Sequence, residues 1–315
     1  MFDILAPIFG LVFLGYLSRK FKLVGPTAYI ELNRFVACLA LPALLFDIVA
    51  HVSLQQLGQA GFLAAFGIGA FAMMALPLLF VRRERAFGDR VLDGLCAGYP
   101  NSGFIGLPLA QLAFGPSSAA GAAIAAVFTT CIIFGVAIAL MEWDSQRGHS
   151  LWSTAVKVFN SLIRNPMVIV PLSAVLVSAG WVSLPPSVER LLKLLGGAAG
   201  PCALVAIGLF FAREDPNDDK AWTAFFQPRT LVLVLLKLVA QPLLTVLLAL
   251  YVFRLDKPDV ILVTVMSALP TGSGSFMLAG YYKRDPVLTS AVILVSTVAA
   301  PLTLTVLLVA LSMLR

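Results

Sequence analysis

Charge is what this sequence has least of. Of its 315 residues only 12% are Asp, Glu, Lys or Arg, against roughly 25% in ordinary soluble domains. Hydrophobic residues make up 60%, and together these proportions exclude a soluble globular enzyme. Histidine is almost missing: His51 and His149 are the only two, and the spans assigned below put them on opposite sides of a membrane. A His-based metal or acyl-transfer centre is therefore not expected. No Walker A sequence occurs, so ATP does not drive this chain directly. The four cysteines, Cys38, Cys96, Cys131 and Cys202, all lie in apolar runs and read as small packing residues, with no disulfide and no metal site. A basic n-region is also lacking before the first apolar run, so Met1-Phe2-Asp3-Ile4 reads as the start of a span rather than a signal peptide. The net charge of +6 is dispersed through loops, which does not describe a nucleic-acid face.

Long apolar runs are there in abundance. A hydrocarbon core of about 30 Å takes about 20 apolar residues in a helix, whereas a barrel strand would show only ~10 alternating ones. Ten spans are predicted, at 2–18, 27–50, 60–81, 91–113, 117–141, 166–181, 187–212, 230–253, 259–281 and 287–313. The fold class is an all-α membrane protein. A polar stretch at 142–165 divides five spans from five, giving a first repeat at 1–141, a cytoplasmic linker, and a second repeat at 166–315. Within the linker Leu151, Trp152, Ala155, Val156, Phe159 and Leu162 recur at helical spacing, which predicts a helix lying on the membrane surface.

The basic residues set the orientation. Fifteen fall on one side: Arg19, Lys20, Lys22, Arg82, Arg83, Arg85, Arg90, Arg147, Lys157, Arg164, Arg213, Lys220, Arg229, Lys283 and Arg284. The other side has Arg254, Lys257 and Arg315, with Arg190 and Lys193 at the start of a span. The richer side is expected to be cytoplasmic, with both termini outside, in a multi-pass protein of the cell (inner) membrane.

Prolines carry an internal repeat. A shift of 159 places Pro7 on Pro166, Pro26 on Pro185 and Pro42 on Pro201; a shift of 170 places Pro100 on Pro270 and Pro116 on Pro286. Five spans per repeat is an odd number, so the second set enters the membrane from the opposite face. Inverted repeats of this kind are the organisation of secondary transporters. Pro100 and Pro270 fall mid-way through spans four and nine, within Gly98–Pro108 and Ala268–Phe276. Proline removes a helical hydrogen bond and clashes with the preceding turn, so both spans are predicted to break there. Each break presents a half-helix N-terminus, whose free N–H groups and partial positive charge favour a carboxylate.

The predicted substrate residues are Pro100, Asn101, Ser102, Thr129, Thr130, Pro270, Thr271, Ser273 and Ser275. Thr129 and Thr130 have a competing role, bonding their own helix backbone. Lys237 and Gln241, one turn apart in span eight, and Asp93, two turns before the span-four break, are candidates for charge or coupling roles. The plainer readings are a Lys237 that snorkels to the cytoplasmic surface and an Asp93 that ends its helix near Arg90. Asp47 with His51, and Glu31 with Arg34, read as interfacial charges. The pairs Gly94–Gly98 and Gly196–Gly200 read as close helix contacts.

L-N-R-F-V (32–36) leading to L-P-A-L-L-F (41–46), Y-P-N-S-G-F-I-G-L-P (99–108) and A-L-P-T-G (268–272) resemble the auxin efflux carrier family, with its plant auxin transporters and bacterial malonate and malate carriers. The resemblance extends over essentially the whole chain. It implies a ten-helix fold with spans four and nine crossing at their prolines, a scaffold of spans one, two, six and seven, and a mobile transport domain of spans three to five and eight to ten. It also implies a substrate carboxylate near Asn101. The long central loop of the larger plant members is missing here. The expected function is alternating-access, elevator-like transport of small organic anions, mono- or dicarboxylates or auxin-like aromatic acids. No cofactor is expected, proton or sodium coupling is left open, and the partners are the anion and the bilayer, with a homodimer as one option. A sodium-coupled symporter of related fold, a membrane receptor that does not transport and a membrane-embedded enzyme are the alternatives.

Overall fold

The computed structural model of the protein describes residues 2–51, 59–80, 85–115, 118–145, 156, 160, 166–212, 223–284 and 286–313. Helices account for nearly all of them, and no strand occurs among the described residues. The apolar runs permit little else, because hydrocarbon offers no partner to backbone N–H and C=O groups and a helix satisfies them internally.

We number the helices α1 (Phe2–Lys20), α2 (Ala28–His51), α3 (Ala60–Phe80), α4 (Phe87–Gly98), α5 (102–114), α6 (119–145), α7 (Pro166–Ser178), α8 (Pro186–Phe211), α9 (Pro228–Val252), α10 (Lys257–Ser267), α11 (Gly274–Tyr281) and α12 (Val287–Ser312). Among the described residues six stretches are long and apolar enough to cross a membrane by length and composition. They lie in α2, α3, α6, α8, α9 and α12. The predicted span at 91–113 corresponds to α4 and α5, and that at 259–281 to α10 and α11. The expected surface helix rests on Leu151, Trp152, Ala155, Phe159 and Leu162, which lie outside the described residues, as do Pro116, Arg213 and Lys220.

Several helices run through prolines, and two show how. In α2 a widened turn with i→i+5 bonding occupies Val36–Ala40, immediately before Leu41–Pro42. In α9 the same device occupies Leu236–Ala240, immediately before Gln241–Pro242. An extra residue in the turn relieves the clash between the proline ring and the preceding carbonyls, so the helix continues.

Two sets of helices pack separately for the most part. Helix α1 lies along α8, and α2 lies against α7 and α8. Helix α3 lies along α4, α9 contacts α3 and α10, and α12 contacts α9, α10 and α4. Glycines allow the closest approaches. A Cβ at Gly208 would meet the backbone of Val12 and Tyr16 on α1, and one at Gly15 the backbone of Val205 on α8. Gly94 and Gly98 face the backbone of α3 at Met74 and Ala70, and a Cβ at Gly196 would lie 2.9 Å from the Leu44 backbone on α2, as expected of close helix contacts. Replacing Gly208 by Leu should cost at least about 1–3 kcal/mol by overpacking. The thermal unfolding midpoint in detergent should fall, and an unchanged midpoint would show that the two helices can separate freely.

Candidate functional site

Two helices stop where proline enters. Helix α4 ends at Gly98; Tyr99 turns extended, at φ −104° and ψ 97°, although its N–H still reaches Leu95 O at 2.9 Å. Helix α10 ends at Ser267, and α11 begins only at Gly274. The two non-helical stretches pair with each other. Pro100 and Thr271 form an antiparallel bridge, in which the Asn101 N–H donates to Pro270 O at 2.8 Å and the Gly272 N–H to Tyr99 O at 2.9 Å. Thr271 completes the join: its N–H donates to Ser296 Oγ at 3.1 Å and its hydroxyl to Cys96 O at 2.8 Å. The Cys96 carbonyl, which Pro100 leaves without its helical donor, thus finds a partner away from water, as buried backbone must. Close approach also fixes a glycine. A Cβ at Gly272 would sit 2.5 Å from the Tyr99 ring.

Beside this join lies a narrow pocket whose cavity volume, about 20 Å³, is that of roughly one water molecule. Pro100, Asn101, Ser102 and Gly103 line it from one strand of the join, Ser273 and Gly274 from the other, and Thr130 from α6. Leu41, Leu44 and Leu45 of α2, with Met277 and Tyr99, form its apolar wall. No charged side chain is among these residues. The Ser273 hydroxyl is buried without a hydrogen-bond partner. The Asn101 side chain, 6% exposed, has no hydrogen bond to another described residue. An unpartnered buried hydroxyl is costly, and Ser273 faces this space beside Asn101, where a ligand oxygen would satisfy it. Helices α5 and α11 start at the pocket and present the positive ends of their dipoles there.

Other predicted residues stand behind the pocket. Thr129 donates to Ala125 O at 2.7 Å and lies 3.1 Å from the Ser102 hydroxyl, so it positions a lining residue. Thr130 lines the pocket while donating to Ala126 O at 2.6 Å. Ser275 turns back to Gly272 O at 3.0 Å. Pro270 and Thr271 form the join itself. The leucines of α2 were missed as lining residues: L-P-A-L-L-F is visible in the sequence, but which of its faces meets the join is set by tertiary packing.

Two charged residues depart from their plainer readings. Lys237 does not snorkel. It is fully buried, and its Nζ donates to Gln241 Oε1 and to Ser267 O, both at 2.6 Å. A widened turn directs it inward, and the carbonyl at the end of α10 supplies an acceptor that the membrane surface would otherwise have to replace. Asp93 lies near the middle of α4, on the same helix as Arg90, but its partner is not Arg90. It is 1% exposed and paired with Arg229 of α9, with Arg85 at 3.9 Å, while Arg90 donates to Leu78 O at 2.9 Å. Arg284 pairs with Asp144 at 2.8 Å and Asp89 at 3.3 Å, and Tyr282 donates to Glu142 at 2.6 Å. His51 and Asp47 are paired, 3.4 Å apart, and His51 also lies 3.4 Å from Glu189 of α8. Glu31 and Arg34 are exposed. All four cysteines are free thiols. Among the described residues no cluster of His, Cys, Asp or Glu is suited to a metal.

Comparison with known proteins gives a consistent picture. The sequence model of a family described as membrane transport protein matches residues 1–308. A proposed malonate transporter of Rhizobium meliloti (strain 1021) is 29% identical over 305 residues, covering 95% of this chain and 92% of that protein. Auxin efflux carrier component 8 of Arabidopsis thaliana is 23% identical, covering 95% and 94% of the two chains. The uncharacterized transporter YfdV of Escherichia coli (strain K12) is also 23% identical, covering 95% of each.

Proposed function

The chain belongs to the auxin efflux carrier family of membrane transport proteins, and from that premise we propose that it is a secondary transporter of small organic anions whose carboxylate binds in the pocket beside Pro100 and Thr271. The observation that carries this reading is the join itself. Two interrupted helices meet through backbone bonds, and their restarting N-termini enclose Asn101 and the unpartnered Ser273 hydroxyl. Such a site holds an anion with neutral groups and helix dipoles, without a dedicated arginine.

The architecture follows in the same reading. Ten membrane-crossing segments form two inverted repeats of five, with α4–α5 and α10–α11 as the broken spans related through Pro100 and Pro270. The separate packing of α1, α2, α7 and α8 supports a scaffold against which the remaining helices move, elevator-like, to expose the pocket to alternate sides. The excess of Lys and Arg at one end supports a cytoplasmic face there and external termini. Malonate-like and auxin-like acids are the first substrates to try, because relatives carry those names.

Thermal stabilisation by ligand tests the binding half of this proposal. A true ligand at 100 times its Kd should stabilise the detergent-solubilised protein by about 2.7 kcal/mol, with a midpoint that rises further with concentration. A panel of malonate, malate, short monocarboxylates and indole-3-acetate should contain at least one such compound. If none stabilises the protein saturably, the pocket is not a carboxylate site.

A further inference from the structure

Helix C-termini leave carbonyls without intrahelical partners and carry partial negative charge. Both helices that stop at the join do so in the interior, at Gly98 and Ser267. One pair of side chains from α9 reaches both ends. Lys237 Nζ donates to Ser267 O at 2.6 Å and to Gln241 Oε1 at 2.6 Å, and Gln241 Nε2 makes a long contact of 3.5 Å with Gly98 O. Lys237, Gln241 and Ser267 are each wholly buried.

A buried ammonium normally needs a carboxylate, yet none among the described residues lies within ion-pair distance of Lys237. The acids of α4 and α6 have other partners, Asp93 in Arg229 and both Asp89 and Asp144 in Arg284. Both atoms facing Nζ are acceptors, which a neutral amine and an ammonium satisfy alike, and an anion in the adjoining pocket favours the ammonium. Two helix C-termini offset part of such a charge, and no carboxylate among the described residues pairs with the rest. The pocket lies on the chain that immediately follows these same helix ends, at 99–103 and 272–274.

We propose that Lys237 is a positioning residue that sets the charge preference of the pocket: with Gln241 it holds the ends of α4 and α10 in register, and its positive charge makes the pocket prefer a carboxylate over the matching uncharged amide. This rests on the carboxylate reading of the pocket. It adds that the preference comes from a residue behind the join, which no lining residue carries.

The test compares ligands that differ by one charge at nearly constant shape, malonamate with malonamide and indole-3-acetate with indole-3-acetamide. Equilibrium binding is measured on the full chain in detergent for the wild type, Lys237→Gln, Lys237→Arg and Gln241→Leu. Wild type should favour the acid of at least one pair. In Lys237→Gln, which keeps a donor for Ser267 O, that preference should fall on the order of tenfold, the scale of a unit-charge interaction beyond direct contact at an effective dielectric of about 20. Lys237→Arg should retain it. Gln241→Leu should weaken acid and amide alike, because it loosens the join and leaves the charge. A wild-type preference preserved in Lys237→Gln overturns the inference while leaving the carboxylate site standing. If Lys237→Gln does not fold, an acid preference lost in Lys237→Arg, or changed in Gln241→Leu, overturns it equally, and a preference kept in both upholds it. Absence of binding by either acid to wild type removes the inference together with the site.

Discussion

Replacing Arg229 by Met should destabilise the protein by about 3–5 kcal/mol, the range for removing one partner of a buried ion pair. Asp93 is 1% exposed, and its Oδ1 has no hydrogen-bond partner, so the carboxylate depends on Arg229 for nearly all of its compensation. Arg85, at 3.9 Å and 42% exposed, adds a weaker and more solvated attraction. The pair joins α4 to α9, which ties the start of one interrupted helix to the helix that carries Lys237. Removing both charges, in Asp93→Leu with Arg229→Met, should recover most of the loss, since apolar replacements of buried pairs are often neutral or stabilising. Thermal unfolding in detergent of the two single variants and the double reads this as a cycle. A single variant within about 1 kcal/mol of wild type would mean that the carboxylate is neutral or hydrated in the protein.

Asn101→Ala should lower affinity for the transported carboxylate tenfold or more, while leaving the unfolding midpoint of the empty protein nearly unchanged. Asn101 N–H is committed to Pro270 O, so the join survives truncation of the side chain. What is lost is an amide that faces the pocket and has no hydrogen bond to another described residue. A hydrogen bond to a charged group is worth about 1.5–3 kcal/mol, which corresponds to roughly tenfold to a hundredfold in binding. Ser273→Ala should act in the same direction and more weakly, because a lone hydroxyl replaces an amide. An Asn101→Ala protein that binds with wild-type affinity, measured by isothermal calorimetry, would place the carboxylate elsewhere.

Helices dominated by composition are legible in the sequence. Helix α3 runs from 60 to 80 and α12 from 287 to 312, against predictions of 60–81 and 287–313, because uninterrupted apolar sequence has no alternative in lipid. Backbone breakers are legible too. Pro100 and Pro270 mark where α4 and α10 give way, and the observed bridge, Pro100 with Thr271, lies one residue from the pairing that the proline register suggests. Side-chain partners at a distance are not. Nothing in the sequence near Asp93 announces Arg229, which is 136 residues away. Lys237 reads as free to snorkel because its acceptor, Ser267 O, is a backbone atom 30 residues on, exposed only because α10 ends there. Polar residues can be nominated from their places beside the breaks. Their division into those facing the pocket (Asn101, Ser102, Thr130, Ser273) and those behind it (Thr129, Thr271, Ser275) follows from rotation about helices that periodicity alone does not fix.

Counterflow exchange in proteoliposomes tests the central claim most directly. Vesicles containing the purified protein and loaded with unlabelled carboxylate are diluted into a trace of the same labelled acid, and internal label is followed over time. The account predicts a transient, saturable accumulation for at least one of malonate, malate or indole-3-acetate, reduced about tenfold or more at low substrate concentration by Asn101→Ala. Vesicles whose accumulation matches protein-free controls for every acid, or whose exchange is untouched by Asn101→Ala, would contradict it.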